Sequence, residues 1–364
     1  MHAGKSISAA DISPEPNEEY RYLCVGGNGK RGYVSSYNTV GAHPIIGRQG
    51  ALCGNVNYTD GQVYATEHAV VVDTFCETEA WWAYYFLKQL NLNQYATATA
   101  QPGLSVNTIG DVQIPLPPYK EQVRIVAAIE QWYSLIDALE TAKEDLQTSI
   151  EYTKSKILDL AIHGRLVLQD PNDEPAIELL KRINPKFTPC DNAHYENVPS
   201  NWALARVEDI GQLLSGRDLT NDECNSENMG LPYLIGASNI EGDTFSFIRW
   251  TEKPQVISQR GDILISCKGT IGTIVKNDIG DMHIARQFMA IRPNTNCIIS
   301  DYLHICLIAA IEEIKKDARG VIPGIARDDI LSKVFTIPPL NEQRRIIAAL
   351  KQYYSILDNI SANL

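Results

Sequence analysis

One stretch of the chain has the residue types and spacing of a cofactor loop. Gly27-Asn28-Gly29-Lys30-Arg31-Gly32 fits G-x-G-x-x-G, whose glycines let a pyrophosphate approach the N-terminus of a following helix. Here the strand formers Tyr33-Val34-Ser35-Ser36-Tyr37 follow instead, so Asn28-Gly29 reads as a hairpin turn. The eight cysteines are scattered with no C-x-x-C pair, so no thiolate zinc site or disulfide framework is expected. The seven histidines are spread thinly, and no Walker A or H-E-x-x-H motif occurs. Lone histidines such as His68 and His283 are read as structural, no metal is expected, and the chain reads as a binder rather than a catalyst.

Leu116-Pro117-Pro118-Tyr119 looks like the proline-proline-aromatic motif of DNA amino-methyltransferases, but leucine stands where a polar residue must accept the target amino hydrogens. The same element recurs as Ile337-Pro338-Pro339-Leu340, without the aromatic residue. Both read as helix starts, where proline is tolerated. Residues 116–139 and 337–360 align without a gap at an offset of 221, matching Glu121/Glu342, Gln122/Gln343, Arg124/Arg345, Tyr133/Tyr354 and Asp137/Asp358. The offset extends upstream, where Gln101-Pro-Gly-Leu104 falls on Ile322-Pro-Gly-Ile325. An offset this long indicates duplicated domains, not a solenoid.

Each copy carries apolar residues stepping by four and three, the period of a coiled-coil seam. They are Ile125, Ile129, Trp132, Ile136 and Leu139 in the first, and Ile346, Leu350, Tyr353, Leu357 and Ile360 in the second. The first helix is expected over about 119–163, stopping at Gly164. At 1.5 Å per residue that is roughly 65 Å, so an antiparallel helix pair is expected.

Strand-like runs precede each helix: YRYLCV, YVSSYN, HPIIGR and YATEHAVVVD in the first copy, LPYLIGASNI, DILISC, TIGTIVK and FMAIRP in the second. The fold class expected is α/β (mixed α+β), with two globular domains separated by a long antiparallel helical coiled coil and a pseudo-twofold internal repeat. The expected boundaries are 1–118 for the first domain, 119–166 for a long helix and 167–197 for a linker with a short helix at 175–183. The second domain is 198–339, and 340–364 is a C-terminal helix. Gly4-Lys5-Ser6 corresponds to the Ser215-Gly216-Arg217 turn, so the first domain lacks a counterpart of the Trp202–Ile210 segment and is read as shortened at its N-terminus.

The chain has 364 residues, 44% hydrophobic and 21% charged, with a net charge of -12. That composition is globular. No apolar run reaches 18 residues and the first residues hold no apolar core, so neither a membrane span nor a secretory leader is expected. Unpaired thiols fit a reducing cytoplasm. The acidic balance argues against a surface coated in basic residues, so any nucleic-acid contact must come from clustering in the fold.

The order of globular domain, E-Q-x-R-I-V helix, globular domain and E-Q-R-R-I-I helix, with the run from Leu160 to Leu180 (LAIHGRLVLQDPNDEPAIELL), resembles the specificity subunits of type I restriction–modification systems over essentially the whole chain. The resemblance implies two target-recognition domains, each reading half of a split double-stranded DNA target. It also implies helices that set the spacing and hold two methyltransferase (M) subunits, with restriction (R) subunits joining. S-adenosylmethionine, ATP and Mg²⁺ would belong to those partners, leaving this chain without cofactor or catalytic residues.

Base edges are read through donors and acceptors, which singles out Asn28, Lys30, Arg31 and Tyr33, with Arg48 and Gln49, in the first domain. In the second they are Arg217, Ser238, Asn239, Lys268, Thr270, Arg286 and Gln287. Two readings compete: a coiled-coil adaptor that reads no DNA, and a self-sufficient DNA methyltransferase.

Overall fold

The computed structural model describes the chain except residues 51, 76, 98–101, 191–197 and 318–323. Cys76, the Gln101 and Ile322-Pro323 positions of the repeat and the end of the expected linker lie outside the described residues. The chain forms two compact units, Met1–Ala142 and Lys143–Leu364, so the division falls inside the long helix.

In the first unit β1 (His2–Ala3), β2 (Tyr22–Gly26), β3 (Gly29–Val34), β4 (Thr39–Val40), β5 (His43–Gly47), β6 (Val56–Thr59), β7 (Gln62–Ala65) and β8 (Ala69–Val71) precede α1 (Ala80–Gln89), α2 (Val106–Gly110) and α3 (Tyr119–Ile162). The strands make two sheets, ordered β1-β8-β5-β6 and β3-β2-β7-β4. All pairs are antiparallel except β2 with β7. The turn between β2 and β3 is Gly27-Asn28, one residue earlier than the expected Asn28-Gly29, because Gly29 already pairs with Gly26; the G-x-G-x-x-G stretch is strand–turn–strand.

The second unit holds the rest of α3. It continues with α4 (Ala176–Ile183), β9 (Ala203–Arg206), α5 (Val207–Ile210), β10 (Gly211–Ser215), β11 (Leu231–Leu234), β12 (Ile240–Glu241), β13 (Thr244–Phe245), β14 (Trp250–Thr251), β15 (Ile257–Ser258), β16 (Ile263–Ser266), β17 (Ile274–Lys276), β18 (Met282–Ile284) and β19 (Phe288–Pro293). Then come α6 (Ser300–Asp317), α7 (Arg327–Leu331), β20 (Val334–Ile337) and α8 (Leu340–Ala362). Its main sheets are ordered β10-β19-β16-β17 and β14-β11-β18-β15, again with one parallel pair, β11 with β18. Strand for strand this is the topology of the first unit.

The central strands are apolar on both faces because both faces are buried. Successive side chains point to opposite sides of a sheet. Ile45 joins the core between the sheets while Ile46 joins the core under the helices. Leu264 and its neighbours Ile263 and Ile265 divide the same way. This continuous burial explains the unbroken runs HPIIG and ILIS.

Helix α3 ends where Gly164 takes a left-handed conformation (φ +70°), and the Arg165 N–H donates to Leu160 O, a conformation glycine adopts without penalty. Helix α8 runs antiparallel to the second half of α3. Tyr354 Oη donates to Lys154 O, Lys154 Nζ lies 2.8 Å from Asp358, and Ser361 hydrogen-bonds Gln147. Ile346 and Leu350 are buried and Leu357 is half-buried, while Tyr353 and Ile360 are exposed.

The seam expected over 125–139 is corrected. Trp132 (68% exposed), Ile136 and Leu139 (70%) are open to solvent. Ile125 and Ile129 are half-buried, and with Trp132 and Ile136 they line an open groove of about 440 Å³ against Trp82, Tyr85 and Phe86 of α1. A heptad pattern marks an apolar stripe but not the surface that meets it.

The repeated Glu-Gln dipeptide has a physical explanation. Gln343 is fully buried. Its Nε2 donates to Pro338 O and Cys297 O, and its Oε1 accepts the Ile299 N–H. Gln122, also fully buried, donates to Pro117 O and Glu77 O and accepts from Glu79 N. One amide thus ties the start of each repeated helix to the segment just before α1 in the first unit and just before α6 in the second. Gln343→Ala strands a buried N–H and two carbonyls, at a cost of about 2–4 kcal/mol. Urea denaturation should show that loss, and a change below about 0.5 kcal/mol would contradict the role.

Candidate nucleic-acid interface

In each unit several strand ends and the turns between them converge. In the first these are the segment after β1 (Gly4–Ser6), the β2–β3 turn, the segment after β5 (Arg48–Gly50), the start of β6 and the β7–β8 turn (Thr66–His68). In the second they follow β10, β11, β16 and β18. Backbone bonds superimpose the two sets. Gly4 N donates to Ala69 O as Gly216 N does to Phe288 O, and Thr66 N donates to Val25 O as Ala285 N does to Leu234 O. Arg48 N to His68 O matches Cys267 N to Gln287 O, and Leu104 N to Arg48 O matches Ile325 N to Cys267 O. The expected correspondence of the Gly4-Lys5-Ser6 segment with the Ser215-Gly216-Arg217 turn is found, and the backbone bonds set Gly4 on Gly216.

Close backbone approach permits this convergence. A Cβ on Gly4 or Gly216 would run into the carbonyl oxygens of Ala65 or Ala285, and one on Gly47 into Gly27 O. Only glycine allows two chains so near.

The convergence gathers most of the residues singled out in the sequence. Asn28, Lys30, Arg31, Arg48 and Gln49 lie together in the first unit. Arg217, Lys268, Thr270, Arg286 and Gln287 do so in the second, Gln287 Oε1 lying beside both Gly236 and Gly269. Three others differ. Tyr33 sits further along β3, its hydroxyl accepting from Lys30 Nζ at 3.2 Å. Asn239 is engaged internally: Oδ1 accepts from Gly236 N and Nδ2 donates to Ser246 O. Ser238 is exposed at the edge of the cluster.

The same geometry brings in residues that the sequence did not single out as contacts: Lys5, Asn57, Glu67, His68 and Asp218. The repeat offset drifts along the unit, so only the matches near Gly4/Gly216 and Leu104/Ile325 were readable; Glu67 and Asn57 carry no local signal.

Charge is concentrated here. Lys5, Lys30, Arg31 and Arg48 face Glu67 alone among the converging first-unit segments, and Arg217, Lys268 and Arg286 face Asp218 in the second. Arg286 Nε lies 2.7 Å from Asp218, whose other oxygen accepts the Arg286 backbone N–H. In the first unit Asn55 Nδ2 donates to Asn28 Oδ1 and His68 Nδ1 lies 2.7 Å from Gln49 Oε1. Arg48 Nε, Asn57 Nδ2, Thr66 Oγ1 and Glu67 Oε2 are shielded and have no hydrogen-bond partner among the described residues. Native interiors leave few such atoms without reason.

His283 anchors the second cluster from beneath. It is fully buried, its Nε2 lies 2.8 Å from Arg217 O, and its Nδ1 accepts from Gln255 N and Val256 N at 3.3 Å. Burial lowers its pKa from the ordinary 6.5, and protonating Nδ1 would abolish both acceptor contacts. Among the described residues no three His, Cys, Asp or Glu side chains gather as metal ligands, and no helix is long and apolar enough to cross a membrane.

The chain is thus a duplication of mixed sheets, each with a basic polar loop end and an amide-tied helix. The chain belongs to the type I restriction modification DNA specificity domain family, which matches residues 2–148 and 199–364. The run from Leu160 to Leu180 lies between those two matches.

The chain is 41% identical over 160 residues to the EcoprrI specificity subunit of Escherichia coli, covering 44% of this chain and 40% of that one. It is 29% identical over 278 residues to the EcoAI specificity subunit, covering 65% and 46%. The chain thus spans about half the length of these relatives. Two solved structures share the fold at 19% identity. One is the HsdS subunit of Thermoanaerobacter tengcongensis (TM-score 0.60, covering 96% of this chain and 78% of that one). The other is a chain of a type I restriction–modification system described for its complex assembly and conformational transition (TM-score 0.69, covering 100% and 90%).

A histidine with a depressed folded pKa contributes stability that is whole above its ordinary pKa and is lost as pH falls below it. The thermal midpoint should therefore fall between pH 7.5 and 5.5. His283→Gln should be less stable at pH 7.5 yet lose less on acidification. Equal losses in both proteins would contradict the role given to His283.

Proposed function

We propose that this chain is the DNA-recognition subunit of a type I restriction–modification complex, each unit reading one half of a bipartite target. The carrying observation is the pair of matching basic loop ends in a chain of net charge -12. Cations that meet phosphates position a protein on DNA, and donors and acceptors beside them read bases. Both kinds of group lie together at the same place in both units.

The repeated helices set the separation of the half-sites and dock methyltransferase subunits; restriction subunits complete the complex. The exposed stripe of Trp132, Tyr133 and Leu139 supports docking on α3, since aromatic side chains are enriched at interfaces. In this reading the chain is non-catalytic and cytoplasmic. S-adenosylmethionine, ATP and Mg²⁺ act on the partner subunits.

Co-expression with the methyltransferase subunit encoded beside it, followed by mapping of methylated bases, should reveal a motif of two fixed halves and a constant gap. A stable complex that methylates nothing would favour the adaptor reading instead. Leu139→Glu with Trp132→Glu should abolish co-purification of the methyltransferase subunit while leaving the circular dichroism spectrum unchanged; retained co-purification would place docking elsewhere.

A further inference from the structure

The two loop ends match in backbone but differ in chemistry at one position. Ala69 N donates to Thr66 O and Phe288 N donates to Ala285 O, so each unit has the same tight turn between the seventh and eighth strands of its sheet pair. The first central residue of that turn is Glu67 in one unit and Arg286 in the other; the second is His68 or Gln287. A carboxylate only accepts hydrogen bonds and a guanidinium only donates them.

The surroundings hold each group ready. Glu67 is 39% exposed, and its Oε1 stands 3.4 Å from His68 Nε2. Its Oε2 is shielded and has no donor among the described residues, although four cationic side chains share the loop end, so this partly exposed side chain must turn outward to offer that oxygen to a base. Arg286 is held at Nε and at its own backbone N–H by Asp218, contacts that do not use its Nη groups, and its side chain is 69% exposed. A guanidinium gripped this way loses less freedom on binding than a loose one.

We propose that this turn position determines base preference in each half-site, and that the two units read opposite polarity through it. Glu67 accepts the exocyclic amino group of cytosine or adenine, and Arg286 donates its Nη fork to O6 and N7 of guanine. The inference rests on the DNA-reading function proposed above. Asp218 is the positioning residue for Arg286. Lys5 and Arg217, matched on the neighbouring strand, meet phosphates and carry no base preference.

The test uses the full chain in complex with its methyltransferase subunit. Binding is competed with duplexes that carry each of the four base pairs at each position of the mapped target. The wild-type complex should require a G·C pair at one position of the second half-site. Arg286→Lys should reduce that discrimination roughly tenfold or more and leave the first half-site unchanged. Glu67→Gln should do the same at one position of the first half-site only. Asp218→Asn should weaken the Arg286 position, and Lys5→Ala should lower affinity evenly for all sequences.

A second half-site made only of A·T pairs would overturn the assignment. So would conservative variants that lose affinity evenly at every position or keep both halves unchanged. A wild-type complex that binds no bipartite target would instead refute the DNA-reading function itself, and the inference with it.

Discussion

Burial of both faces of the central strands is the constraint on which the rest depends. Ile45 and Ile46, like Leu264 and Ile265, face different cores from adjacent positions. No side chain on these strands is free to meet a ligand without opening a cavity, which for a buried aliphatic residue costs about 2–5 kcal/mol. Polar chemistry is thereby displaced to the strand ends. The glycines at 4, 47 and 216 then bring separate turns within reach of one another, so the polar residues lie on loops held by a rigid frame.

The second requirement is that each loop end have a fixed relation to its own helix. A single glutamine meets it, filling the space between helix start and domain with three hydrogen bonds in both copies. Its neighbours have diverged in role. Glu342 accepts from Gln169 and Arg345 pairs with Asp173, while Glu121 and Arg124 are exposed. Burial raises the pKa of Glu342, the expected effect of low dielectric on a carboxylate. The equivalent helix in the first unit is bare on the side where Trp132 and Leu139 project.

Much of this was legible in the sequence. The duplication, a hairpin turn at Asn28 (one residue earlier than the expected Asn28-Gly29), the long helix with its stop at Gly164 and the match of the Gly4 segment with the Gly216 turn are signals read from glycine, proline and spacing. The sheets were less legible. Strands such as β1, β4 and β18 have two or three residues, too few for a period of two to register, and the parallel pairs β2–β7 and β11–β18 join segments that no local pattern connects. The seam over 125–139 misled because periodicity reports an apolar face without its neighbour. Glu67 was missed because an acidic residue in a turn looks solvated until its match with Arg286 is seen in three dimensions.

The central claim is that both units present the same strand end to DNA. Photocrosslinking of the assembled complex to its target, with crosslinked peptides identified by mass spectrometry, tests it directly. Crosslinks should fall in both units, within 4–6, 26–31, 48–50 and 66–68 in the first and 216–218, 268–270 and 285–287 in the second. Crosslinks confined to α3 and α8, or to the opposite ends of the strands, would contradict it.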